Sequence, residues 1–299
     1  MEPARADTQT ARGPFASLIW GDPSSPLVLA LHGFPDEAST FDQLAPLLVQ
    51  RGFRVMAPYL RGFAPSTTEG PFGAESLARD LAAILLALGN PPVVLLVHDM
   101  GAQAAYALFD LEERNRLRIK GLCTLSLPHP GAVVQNMRRS FRQMRMSRYV
   151  FWFQTRALAD WSVRRHHFRE IDRLWRRWSP RLPASAERMK RVKAALAGGW
   201  PAPLRHYREG GFGGGSLGCI DVPWLHLIGA DDGCTLPEMR AGQERYAGGR
   251  HQSHVLSGIG HFIQLEAPEA IASAMDDFPL RPTWIGAADV ATPGSPSPA

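Results

Sequence analysis

Six short runs of this chain read as strands: PLVLALHG (26–33), FRVMAPY (53–59), PVVLLVH (92–98), IKGLCTLSL (119–127), VPWLHLIG (222–229) and HQSHVLSG (251–258). Most are continuous in hydrophobicity rather than alternating, as expected of parallel strands buried on both faces. Between them, 74–89, 101–116, 236–247 and 267–276 carry helical patterning. Strand–helix alternation of this kind predicts an α/β fold with a mostly parallel central sheet, flanking helices and right-handed crossovers.

The alternation breaks between 131 and 215, an interval too long for a plain crossover. Phe168, Ile171, Trp175 and Trp178 recur there at helical spacing, which predicts a mainly helical insertion, or cap. EGGFGGGSLG (209–218) reads as a flexible return to the main domain. The expected organisation is therefore a core over 15–130 and 216–285, a helical cap over 131–215, and disordered ends at 1–14 and 286–299.

Composition narrows the class. The 299 residues are 45% hydrophobic, enough for one large domain or a core with an insertion. Three widely spaced cysteines (Cys123, Cys219, Cys234) fit no disulfide framework and no zinc pattern. MEPARADTQTARGPF lacks the apolar stretch of a secretory signal, and no run approaches the roughly 20 residues of a membrane span. A reduced, soluble, cytoplasmic protein is expected. The net charge of +5 is uneven, with 19 Lys and Arg against 5 Asp and Glu between 131 and 210. A polyanion or an anionic membrane would suit such a segment. No nucleic-acid motif accompanies it, so a solvated face is the expectation, with no nucleic acid and no membrane insertion.

Candidate chemistry begins at LLVHDMGAQAAY (95–106), where Asp99 follows a strand and precedes a helix. That is the setting of a nucleophile elbow, although no G-x-S-x-G occurs anywhere in the chain. An Asp in this place can attack carbon and form an ester; the alternative is an ordinary helix N-cap. LIGADDGCTLPEM (227–239) puts acids after the next strand, and SGIGHFIQLEAPE (257–269) puts His261 after the last. The order nucleophile, acid, histidine favours catalysis. In LHGFPDEAST (31–40) the Phe34 N–H can face the elbow and, with the Met100 N–H, form an oxyanion hole. HQSH (251–254) is rejected as a metal site, because i,i+3 positions on a strand point to opposite faces.

These motifs, with HGFPDEASTFDQLAP, APYLRGFAPS and GHFIQLEAPE, resemble the α/β-hydrolase superfamily, specifically its epoxide hydrolase and haloalkane dehalogenase branch, over about residues 15–280. The resemblance implies an α/β-hydrolase fold with a cap, and it selects Asp232, three residues after Gly229, as the histidine-orienting acid. Epoxide hydrolases carry two cap tyrosines that donate to the oxirane oxygen. SRYVFWFQ places Tyr149 four residues before Phe153-Gln154, and PLRHYR supplies Tyr207. The implied reaction converts an epoxide and water to a vicinal diol through an ester on Asp99, with His261 as base. It needs no metal and no cofactor. Pro35, Phe151, Trp152 and Phe262 are expected to touch substrate, and a homodimer is compatible with the sequence. Met100 replaces the Trp usual after the nucleophile, which removes a halide donor and argues against a dehalogenase. Val97 replaces a small residue at a crowded place. Another hydrolytic activity, or a binding module without turnover, are the remaining readings.

Overall fold

The computed structural model describes residues 1–209, 218–278 and 280. The glycine-rich return, apart from its two ends, and the tail therefore lie outside the described residues. In chain order the strands are β1 (Ala4–Thr10), β2 (Gly13–Trp20), β3 (Leu27–Leu31), β4 (Arg54–Pro58), β5 (Val93–His98), β6 (Ile119–Leu125), β7 (Trp224–Gly229) and β8 (His251–Leu256). They form one sheet in the order β1-β2-β4-β3-β5-β6-β7-β8. The pairs β1/β2 and β2/β4 are antiparallel, and every pair from β4 to β8 is parallel. Together these make an α/β-hydrolase fold.

Every residue of β3 and β5 is buried. Side chains alternate across a strand, so Val28, Ala30, Val94 and Leu96 join one core, while Leu29, Leu31, Leu95 and Val97 join the other. The first core is closed by α1 (Leu44–Gln50) and α11 (Pro268–Asp277) through Leu44, Leu48, Ile271 and Met275. The second is closed by α2 (Ala74–Ala87) and α3 (Met100–Phe109) through Leu77, Leu81, Ala105 and Leu108. Burial on both faces is the physical reason these strands read as unbroken apolar runs.

Among the described residues six helices stand between β6 and β7: α4 (Pro130–Met137), α5 (Phe141–Met146), α6 (Arg148–Phe153), α7 (Ala157–Trp178), α8 (Ala186–Gly199) and α9 (Ala202–Glu209). Phe168, Ile171, Trp175 and Trp178 are all buried on α7. That helix is broken, with His166, His167 and Phe168 at φ of +52, +53 and +58. The break lets Phe168 meet Trp200 edge to face at 5.1 Å. A short α10 (Ile263–Glu266) precedes α11.

Three sequence expectations need correction. Residues 1–14 are not disordered: β1 pairs along its whole length with β2. Its ARADTQT sequence buries only Thr8, so backbone pairing rather than apolar burial holds it, and no hydrophobic pattern announces it. The stretch 236–247 is two 3₁₀ turns, Pro237–Arg240 and Gln243–Tyr246, separated by Gly242 at φ +77. Helix α3 stops at Phe109, and a 3₁₀ turn over Glu112–Arg116 completes the interval read as one helix.

Candidate active site

Asp99 occupies the corner between β5 and α3 at φ +48, ψ −110, a conformation that non-glycine residues seldom hold. Small neighbours make the corner possible. A Cβ on Gly101 would lie 2.6 Å from the Leu31 carbonyl oxygen, and one on Gly33 would collide with Asp99 itself. Val97 sits in register beside Leu31 inside the sheet, so the crowding falls on the two glycines instead. His32 shapes the facing turn: its Nε2 accepts from the Leu60 N–H at 3.1 Å and its Nδ1 contacts the Gly33 carbonyl at 2.9 Å. Burial pushes His32 down to about 4, so the ring is neutral and serves as both donor and acceptor.

Asp99 is 6% exposed. Its Oδ1 accepts from the Phe34 N–H at 3.0 Å, and the Met100 N–H also bonds the carboxylate. Its Oδ2 lies 3.7 Å from His261 Nε2. Desolvation lifts the Asp99 carboxyl above its ordinary range against the pull of His261 and those two amides. On the far side of the ring, His261 Nδ1 bonds Asp232 Oδ2 at 2.9 Å. Asp232 Oδ1 is held by the N–H groups of Cys234 and Thr235 at 2.7 and 2.9 Å. Asp231, the other acid of this loop, instead faces Arg181 at 3.3 Å near the surface. Burial opposes a charge on His261, but the Asp232 and Asp99 carboxylates outweigh it and raise the imidazole above its ordinary value.

The backbone of His261 is clamped from two sides. His98 Nε2 and Ser126 Oγ both reach the His261 carbonyl, at 3.0 and 2.5 Å. Burial drives His98 well below its ordinary value, so it is neutral and donates. From the end of α7, the Trp178 carbonyl accepts from the N–H groups of both Gly233 and His261, at 3.0 and 3.1 Å. Ser179 Oγ accepts from the N–H groups of His261 and Phe262, at 2.9 and 3.0 Å.

Tyr149 and Tyr207 come together over this site although 58 residues part them in sequence. Their rings are 6.1 Å apart, with the Phe34 ring 5.4 Å from Tyr207 and the Phe153 ring 5.5 and 5.2 Å from the two. Gln154 Nε2 donates to the Tyr207 carbonyl at 2.8 Å, and Arg208 Nε to the Phe153 carbonyl at 2.7 Å, so α6 and α9 are bonded to each other. Desolvation keeps both phenols well above their ordinary value, with the Asp99 charge adding to it, and both therefore carry their protons.

Of the expected substrate contacts, Phe262 is buried and stacks on Trp175 at 4.0 Å, while the Pro35 carbonyl accepts from Trp175 Nε1 at 2.8 Å. Phe151 and Trp152 lie nearer the surface. They are 61% and 39% exposed, because on α6 the face that meets Tyr207 is shared by Tyr149 and Phe153, four residues apart. Sequence reading also passed over Cys234, whose Sγ lies 3.4 Å from Tyr149 Oη. Its place two residues after Asp232 in GADDGC was the available signal. No motif marked Ser179.

Residues 26–268 match the family described as the alpha/beta hydrolase fold. The chain is 27% identical to Epoxide hydrolase 3 of Xenopus tropicalis, over 86% of this chain and 72% of that one. It is 25% identical to Epoxide hydrolase A of Mycobacterium tuberculosis, over 86% and 91%. Among solved structures, Epoxide Hydrolase A from Mycobacterium thermoresistibile superposes with a TM-score of 0.76 at 24% identity, covering 92% of this chain and 98% of that one.

Proposed function

The chain belongs to the alpha/beta hydrolase fold family, and from that membership we propose that it is an epoxide hydrolase working through an ester on Asp99. The observation that carries this reading is the pairing of two protonated phenols, from α6 and α9, above a carboxylate at the strand–helix corner. The curated relatives named epoxide hydrolase support it.

In the first half-reaction Asp99 Oδ2 attacks an epoxide carbon. Oδ1 is the oxygen held by the Phe34 N–H, which leaves Oδ2 for carbon. The carbon–oxygen bond of the ring breaks, and its electron pair goes to the oxirane oxygen, which takes hydrogen bonds and a proton from the tyrosines. In the second half, His261 Nε2 removes a proton from water, and the water oxygen attacks the ester carbonyl carbon. The Phe34 and Met100 N–H groups receive the resulting oxyanion. Collapse returns the proton to the leaving alkoxide, which departs as the diol, and the second water proton, left on the Asp99 carboxyl, passes to the tyrosinate, which restores both the carboxylate and the phenol. Asp232 holds the imidazole in the tautomer this needs. The helices between β6 and β7 act as the cap, and Pro35 and Phe262 line its floor. Met100 offers no side-chain donor to a halide, so dehalogenation is not the activity proposed.

Charge appears on the oxirane oxygen only as the ring opens, so the phenols favour the transition state over the ground state. Losing one donor of this kind costs about 2.7–4 kcal/mol in another enzyme class, and two phenols share the task here. Tyr149→Phe and Tyr207→Phe should each slow ester formation by less than that. The double variant should be nearly unable to alkylate while staying folded, as read by quenched mass spectrometry. A double variant that opens epoxides at the wild-type rate overturns the proposal.

A further inference from the structure

Cys234 has no part in the reaction above, yet it faces the two residues at its centre. The ligand atoms of Asp99, Cys234 and His261 all lie within 4.8 Å of one another. All three side chains are buried, and His261 Nε2 has no hydrogen-bond partner. Among the described residues no other three His, Cys, Asp or Glu side chains converge in this way.

We propose that Asp99, Cys234 and His261 form a binding site for a soft divalent cation of the Zn²⁺ type, and that an occupied site is a blocked one. The donor set is one imidazole, one thiolate and one carboxylate, all ligands that zinc accepts. With bonds of about 2.0–2.3 Å, ligand atoms around a tetrahedral zinc stand roughly 3.3–3.7 Å apart. The Asp99–His261 separation of 3.7 Å is at the upper end of that range, and the thiol, within 4.8 Å of both partners, has to draw closer. It gives up its proton to solvent on binding, so two anionic ligands then neutralise the cation in a buried site. The sulfur selects zinc or cadmium over magnesium and calcium, which take oxygen ligands.

The supporting shell is in place as well. A metal-bound histidine usually donates its other ring N–H to a carboxylate, and His261 Nδ1 does so to Asp232 at 2.9 Å. The ligating carboxylate is itself fixed by the Phe34 N–H. The orientation that aims Nε2 at water in the proposed hydrolysis also aims it at a cation. Occupancy would tie up the nucleophile and the base together. This blocking rests on the epoxide hydrolase reading; the binding does not.

The test uses the full chain freed of metal by a chelator, with Co²⁺ as the spectroscopic probe. One Co²⁺ per chain should bind with a thiolate-to-cobalt charge-transfer band that Zn²⁺ displaces. Cys234→Ala, checked for native circular dichroism, should lose that band. Half-inhibition of its epoxide turnover, measured against its own metal-free rate, should need more than about 100-fold higher Zn²⁺, since even an outer-shell loss costs 10–100-fold. Absence of the band in the wild type, or equal Zn²⁺ sensitivity of wild type and Cys234→Ala, overturns the site. Equal inhibition by Mg²⁺ overturns its softness. Should the chain open no epoxide, the function proposed above fails, and the cobalt band still decides the binding.

Discussion

At the scale of single residues, the controlling variable is the proton on His261. Burial works against the imidazolium, and Asp232 with Asp99 more than compensates, so the resting ring holds its proton above the ordinary value. Ester formation erases the Asp99 charge and with it one of those two supports. The base should therefore titrate lower in the ester than in the resting enzyme. Single-turnover ester hydrolysis should rise with pH through a midpoint below the one that NMR of His261 reports for the resting protein. Equal midpoints, or a higher one in the ester, contradict this electrostatic account. The residues of this site were unevenly legible. Asp99, Asp232 and His261 each end a strand-like run, and their order along the chain is informative by itself. Tyr149 and Tyr207 were visible only through the resemblance of their sequence frames. Phe151 and Trp152 are exposed where contact with substrate is expected of them, and nearness in sequence does not decide which face of a helix a side chain occupies.

At the scale of elements, the joint between α7 and the two loops that carry Asp232 and His261 matters most. Trp178, its last residue, and Ser179, just beyond it, hold Gly233 of the acid loop together with His261 and Phe262 of the histidine loop. Two loops that would otherwise drift separately are referenced to one helix end. Ser179→Ala leaves the buried Phe262 N–H without its acceptor, which should cost about 1–3 kcal/mol of stability. Misplacing His261 should slow ester hydrolysis by roughly tenfold to 100-fold, with ester formation slowed far less, since that step needs no base. Stopped-flow separation of the two steps checks this; equal slowing of both would show that Ser179 acts on the fold alone. Nothing in the sequence indicates Ser179, because its role comes from a tertiary contact between segments about 80 residues apart. The strands are the opposite case. β3 and β5 were legible because burial on both faces leaves them no polar positions, whereas β1, an exposed edge strand, carries no such mark. The two 3₁₀ turns after β7 mimic helical periodicity, and only Gly242 at positive φ betrays the break between them.

At the scale of the whole molecule, the basic stretch over 131–210 meets an acidic remainder. Some of that complementarity is visible as ion pairs, Arg191 with Asp42 at 3.4 Å and Arg181 with Asp231 at 3.3 Å. Both are partly exposed, and such pairs contribute little. Trp175 is the stronger link: it is buried, stacks on Phe262 and donates to the Pro35 carbonyl. The charge asymmetry was plain in the sequence, but its partner was not, because composition does not tell which surfaces face each other. The division of labour follows from this arrangement. In the proposed mechanism the sheet supplies nucleophile, acid and base at the ends of β5, β7 and β8, and the helices between β6 and β7 bring the two phenols over them. The central claim is that oxygen reaches the diol from Asp99 and not directly from water. Excess enzyme should be mixed with an epoxide in oxygen-18 water for a single turnover, followed by mass spectrometry of the diol and of the peptide containing Asp99. The account predicts an unlabelled diol and one heavy oxygen in the Asp99 carboxylate. Heavy oxygen in that first diol, with Asp99 unlabelled, would contradict it.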